Sequence, residues 1–177
     1  AEMIRDNALF VSGLLQEGDA FNFAKPYQPA GYYRHLNFPR RSYKEDPGDA
    51  QWRRGLYVHW QRQFLHPMMK AFDAPSREEC TTQRPQSNTP LAALVLLNDP
   101  TFLKAAKAFA DKIASKGGDS FEDRLSYAFE QALSRSPDAF ERNTLAALIE
   151  DRNSESPENW MPVARAVLNL AETHLRR

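Results

Sequence analysis

Along the second half of the chain, apolar residues recur at steps of three and four. Phe102, Ala106, Phe109, Ala110 and Ile113 form one stripe; Phe121, Leu125, Ala128, Phe129, Ala132 and Leu133 form the next. Phe140, Leu145, Leu148 and Ile149 make a weaker third. Trp160, Val163, Ala164, Val167, Leu168, Ala171 and Leu175 keep the period throughout. Such spacing puts each set on one side of a helix. Residues 91–97, LAALVLL, are apolar on every side, which predicts a buried central helix. The punctuation agrees. Thr89-Pro90, Asp99-Pro100, Ser136-Pro137 and Ser156-Pro157 each pair a capping side chain with a residue whose φ is preset and whose missing N–H is not needed in a first turn. Asp119, three residues before Glu122, has capping-box spacing, and Gly117 and Gly118 end the helix before it. Five helices joined by short loops predict a helical bundle.

The first half reads differently. Met3, Ile4, Ala8, Val11 and Leu15 fall near helical spacing, and Gly13 weakens the end of that helix. Residues 16–50 are rich in Gly, Pro, Asn and Tyr and predict a long ordered loop. Its aromatics (Phe21, Phe23, Tyr27, Tyr32, Tyr33, Phe38 and Tyr43) are too many for a flexible linker. Residues 52–65 support two readings. Leu56, Val58 and Trp60 alternate as in a strand, whereas Trp52, Leu56, Trp60 and Phe64 are spaced as on a helix. As a strand, this segment would pair with residues 78–84, EECTTQR, giving one small two-stranded β element.

Composition narrows the function. A chain of 177 residues buries roughly 70% of its unfolded surface and needs neither metal nor disulfide to fold. Its 23 basic and 23 acidic side chains leave no net charge, which argues against nucleic acid as a partner. Arg34, Arg40, Arg41, Lys44, Arg53 and Arg54 are a local basic group that reads as solvated loop charge. Cys80 is the single cysteine, so no intrachain disulfide, CxxCH haem attachment or thiolate zinc site can form, and no cofactor is expected in this chain. His35, His59, His66 and His174 are scattered without ligand spacing, so no metal site is expected. No stretch approaches the roughly 20 apolar residues of a membrane span. The first residues, AEMIRDNALF, carry no signal peptide and are already helical in pattern, as in a mature form or a piece of something longer.

The candidate chemistry lies just before residue 91. Asp73, Arg77, Glu78, Glu79 and Arg84 place carboxylates beside guanidinium groups. Paired carboxylates can do acid–base work on a glycan, and an arginine can hold an anion bidentately. The same residues can form a structural brace for the apolar helix. Asn88 can satisfy loop backbone groups, and Thr89 can cap or, with the helix N-terminus, face an anion. Cys80 reads as a small, partly buried thiol. Trp52, Tyr57 and Trp60 could stack on sugar rings or pack the core.

RRGLYVHWQRQFLHPMMKAFDAPSREECTTQRPQSNTPLAALVLLNDPTF closely resembles the core motif of a large bacterial family, the planctomycete-type domain of unknown function 1553. AEMIRDNALFVSGLL followed by KPYQPAGYY resembles its upstream segment. WMPVARAVLNLAETHLRR resembles its C-terminal end, with Ala171 where the family usually has an acid. The resemblance is thinnest at 111–155. It implies a secreted or periplasmic protein, similar to the C-terminal portion of chains that carry a companion domain and often a cytochrome-c-like module. It also implies a setting of polysaccharide breakdown. It carries no catalytic residues over to this chain.

The expectation is therefore a mainly α fold: a helical bundle with a long ordered N-terminal loop, residues 1–177 forming a single domain of a larger multi-module protein. The expected function is a non-catalytic structural or interaction module whose partners are upstream modules of the same polypeptide or another protein. The alternatives are a hydrolase or lyase using carboxylates of the 73–84 segment, and a carbohydrate-binding module.

Overall fold

The computed structural model describes residues 1–18, 22–35, 40–61, 64–85, 87–149 and 156–174. Among them the fold is mainly helical, with no sheet. The helices are α1 (Glu2–Ser12), α2 (Pro67–Ala71), α3 (Pro90–Asn98), α4 (Pro100–Lys116), α5 (Phe121–Leu133), α6 (Ala139–Ala146), α7 (Pro157–Leu168) and α8 (Ala171–His174). Two compact units are present. One comprises Ala1–Asp6 and Leu15–Thr101, the other Asn7–Leu14 and Phe102–Arg177.

The second unit is a helical bundle as the apolar stripes predict, but Phe140, Leu148 and Ala171 are exposed and the last stripe is divided between α7 and α8. Val11, Phe109, Ile113, Leu125, Phe129, Leu145, Ile149, Trp160, Val163, Val167 and Leu168 form one core. Trp160 is fully buried and stacks on Phe121 with ring centroids 5.7 Å apart. Arg135, just past α5, ties three elements together. Its guanidinium makes a two-pronged contact with Glu141 of α6 at 2.7 and 2.8 Å and meets Glu172 of α8 at 2.9 Å. Leu175, expected on the last stripe, lies outside the described residues.

Of the five expected caps, Thr89 and Asp99 accept first-turn N–H groups, Ser156 stands at the N-cap of α7 with its hydroxyl on the Glu158 carboxylate at 2.9 Å, and two move. Thr89 accepts a hydrogen bond from the Ala92 N–H at 3.1 Å, and Asp99 accepts one from Thr101 at 2.8 Å. Ser120, not Asp119, caps α5, accepting from the Asp123 N–H at 3.1 Å. Asp138, not Ser136, caps α6. Its carboxylate accepts from the Glu141 N–H while Glu141 accepts from the Asp138 N–H, so two first-turn donors are satisfied where Ser136 could satisfy one. Gly117 is required sterically, because a Cβ there would lie 2.5 Å from the Ile113 carbonyl oxygen.

The first unit departs further from expectation. The described residues of segment 52–65, namely 52–61, 64 and 65, form neither an α-helix nor a strand. A 3-10 turn (Gly55–Tyr57) is flanked by isolated bridges, Gln16 to Arg53 and Ala24 to Val58 in parallel and Gln61 to Phe64 antiparallel. The segment's backbone partners are in the early loop: Ala24 N donates to Tyr57 and His59 N donates to Ala24, both at 2.8 Å. Residues 78–84 form no strand beside it and are exposed. The competition between two hydrophobic periods is thus resolved by the neighbouring loop, which takes the backbone donors and acceptors. That loop is pinned by its tyrosines. Tyr33 is buried, with Tyr32, Tyr43 and Phe64 rings 5.8–6.0 Å away. Phe23 is exposed, and Phe21 and Phe38 lie outside the described residues. On α1, Ala8 and Val11 of the expected stripe are buried, whereas Met3 faces solvent and Arg5 is fully buried.

The largest correction concerns α3. Its sequence predicts the buried centre of the fold, yet none of its residues is buried. Leu91, Leu94 and Leu97 are 59%, 55% and 41% exposed. Within its unit, α3 packs beside α2. Hydrophobicity on every side says that a helix gains from burial all round; it does not supply the surfaces that would bury it.

Candidate functional site

Residues 73–85 and 87–89 lie between α2 and α3, and the charged ones among them fasten this connection. Asp73 ends α2 with φ at +57°, a conformation that Asp tolerates better than most residues. Its carboxylate accepts from the Ser87 N–H at 2.7 Å and from the Ser87 hydroxyl at 2.6 Å. Those two hydrogen bonds hold its pKa below the ordinary carboxylate range. They close the loop at its base. Arg77 also has positive φ, +62°, and its guanidinium carbon sits 4.0 Å from the centre of the Trp60 ring. A cation–π contact of that kind stabilises by about 0.5–1 kcal/mol at an exposed site and offsets part of the backbone cost. Arg84 reaches Glu2 at 2.7 Å, anchoring the loop to the first turn of α1.

The remaining candidates face outward. Residues 76–85 are all exposed, including Glu78, Glu79 and Cys80; the cysteine is not the partly buried thiol expected. Asn88 is exposed, and Thr89 serves as the cap of α3. Thus the structure brings Asp73 to Ser87, Arg77 to Trp60 and Arg84 to Glu2; these contacts fix the loop's path. They fasten the loop itself and are not the expected brace of a buried central helix.

The three aromatic candidates are placed as follows. Trp52 is buried at 6% exposure. Arg53 lies over the Tyr57 ring at 4.9 Å and Arg77 over Trp60, so guanidinium groups already occupy one face of each. Stacking a sugar on those faces would require displacing a cation.

A second polar centre, which the sequence did not single out, surrounds Arg5. Its Nη1 donates to the Arg53 carbonyl and its Nη2 to the Gln51 carbonyl at 2.5 Å. Asp6 is 3.8 Å away. Burial pushes the guanidinium down to about 10, with Asp6 and Asp99 opposing the shift. Burial also raises Asp6, against the Gly55 N–H that it accepts at 2.5 Å. His66 is 2% exposed, and its Nε2 lies 2.9 Å from the Tyr27 carbonyl oxygen. Nothing in the local pattern of MIRDNALF announces this centre, because an arginine at a helical core position is indistinguishable by spacing from one on the solvent face.

Among the described residues, no three His, Cys, Asp or Glu side chains group as a metal site, and no helix is long and apolar enough to cross a membrane. Neither a curated protein nor a solved structure matches the chain. A family described as "Protein of unknown function (DUF1553)", PSD1, matches residues 1–149. That span includes both the fastened loop and the exposed apolar helix, and by it the chain belongs to the DUF1553 family.

Proposed function

We propose that this chain is a non-catalytic interaction module that seats α3 in an apolar groove of a protein partner. One observation carries the reading: seven consecutive apolar residues, 91–97, form a helix of which no residue is buried. Leaving such a surface in water is unfavourable, and covering it is a source of binding free energy.

The size and charge of the surface favour a groove over a second copy. A nine-residue helix is about 14 Å long and roughly 10 Å wide, so helix-on-helix contact covers a strip of only about 140 Å² per copy. Stable dimers bury roughly 800 Å² per partner. A groove enclosing the helix on three sides covers roughly three times that strip, about 420 Å², the size of a weak, transient contact. No charged residue lies between Arg84 and Asp99, so the groove floor is uncharged. The charges of the preceding exposed segment, Arg77 and Arg84 against Glu78 and Glu79, balance, so they select no sign of rim charge. In the setting that the family resemblance implies, the groove belongs to a companion module of a secreted, cytochrome-c-linked, polysaccharide-processing protein.

The test places a photo-crosslinking residue at position 94 of the intact chain in extract of the source cells. The captured protein is identified, purified and titrated against wild type and Leu94→Glu. At least tenfold weaker binding by the variant is the expected result. Equal affinities, crosslinks only between copies with a dimeric mass, or transfer of the chain to phosphatidylglycerol vesicles would each overturn the reading. So would turnover of an anionic polysaccharide by wild type that Glu78→Gln abolishes.

A further inference from the structure

The long aromatic loop is held at a point where a proton can act. His66 stands at the N-terminus of α2, and its ring faces the Tyr27 and Pro26 carbonyls of that loop. With Nε2 protonated and Nδ1 bare, the neutral ring donates to the Tyr27 carbonyl at 2.9 Å. The buried Nδ1 has no hydrogen-bond partner. Next to this contact, the Tyr32 hydroxyl donates to the Leu65 carbonyl at 2.8 Å and the Tyr43 hydroxyl donates to the Pro26 carbonyl at 2.6 Å. The Tyr43 ring lies 6.4 Å from the His66 ring. Pro26, Tyr27, Tyr32 and Tyr43 therefore converge on one imidazole and the residue before it.

The groups around the ring disfavour a second proton. Arg5 of α1 and His59 both face it and both repel positive charge, while Asp46 reaches His59 and Tyr43. A proton arriving on Nδ1 would lie in the interior, on a nitrogen with no hydrogen-bond partner in the closed form and facing the buried Arg5 guanidinium; the Tyr27 and Pro26 carbonyls offset only part of that cost.

We propose that His66 is an acid-sensitive latch: neutral, it fastens Pro26, Tyr27 and the tyrosines packed with them, Tyr32 and Tyr43, to the start of α2, and protonated, it releases them. The step moves one proton from solvent to Nδ1 and breaks only hydrogen bonds. Burial pushes the ring down to about 4 in the closed form, against 6.5 when solvated. The open form therefore binds the proton more tightly, and opening becomes easier as pH falls through that window. The opening constant rises roughly twentyfold between pH 7 and pH 5 and saturates near roughly 300-fold below pH 4.

The amides of Ala24, Lys25 and Asp46 report on the loop, because each donates a hydrogen bond when it is closed. Hydrogen exchange at these sites, corrected for intrinsic rates, is compared between pH 7 and pH 5 in wild type and His66→Gln, whose amide can still donate to Tyr27 but does not titrate. Wild type is expected to lose roughly twentyfold in protection at these amides while Phe129 and Val167 stay protected, and the variant to keep its protection. Equal loss in both proteins overturns the latch. Should His66→Gln not fold, an NMR titration of the wild-type imidazole decides. Loop release that tracks ring protonation supports the latch; protonation without release, or release without protonation, overturns it.

Discussion

Replacing Leu94 by glutamate separates two accounts of α3 cleanly. If the helix were the buried rod that its composition suggests, a carboxylate at its centre would be desolvated without a partner, and the chain would lose upward of about 4 kcal/mol or fail to fold. In the structure Leu94 is 55% exposed. Full burial of a leucine contributes about 1.5–3 kcal/mol, so the part of Leu94 already covered accounts for about 1 kcal/mol. Glutamate is nearly as good a helix former as leucine and adds only a few tenths. The expected loss is therefore about 1–1.5 kcal/mol. Urea unfolding followed by circular dichroism measures it, with Trp160→Ala, expected to cost about 3–5 kcal/mol, as the reference for a true core position. A loss at Leu94 above about 3 kcal/mol with an unchanged denaturant slope would refute the placement of α3, and with it the docking surface.

Three further outcomes follow from the second unit. The family match ends at residue 149, but Trp160, Val163, Ala164 and Val167 of α7 are fully buried in the same core. Their combined burial is of the order of the whole stability of a domain, so a chain ending at 149 should lose its cooperative thermal transition in that unit; an unchanged melt would contradict this. Gly117→Ala forces a Cβ to within 2.5 Å of the Ile113 carbonyl oxygen and 2.9 Å of the Arg124 Cα. It should destabilise by about 1–3 kcal/mol, read from the urea midpoint. Arg135→Met removes the contacts to Glu141 and Glu172. At a partly exposed site the loss should be about 1 kcal/mol at low salt and smaller in 1 M NaCl; equal losses at both salt concentrations would count against an electrostatic origin.

The sequence alone determined the helical character of the second half and three of its five expected starts, at Thr89, Asp99 and Ser156, but ran α7 and α8 together. Stripes such as Phe121, Leu125, Ala128 and Phe129 need only local periodicity to be seen, and a cap such as Thr89 needs only its own turn. The caps at Ser120 and Asp138 lay one and two residues from the expected Asp119 and Ser136, because neighbouring side chains compete for the same few N–H groups. The anchoring role of Asp73 and Arg84 required the fold, since their partners Ser87 and Glu2 are 14 and 82 residues away. Residues 52–65 also required it: two periods were present, and the loop around Ala24 decided between them and a third outcome. Above all, only tertiary structure decided that Arg5 lies inside and Leu94 outside. Hydrophobicity is a property of a side chain, whereas burial is a property of the surfaces available to cover it, and those surfaces are made by distant parts of the chain or by another molecule.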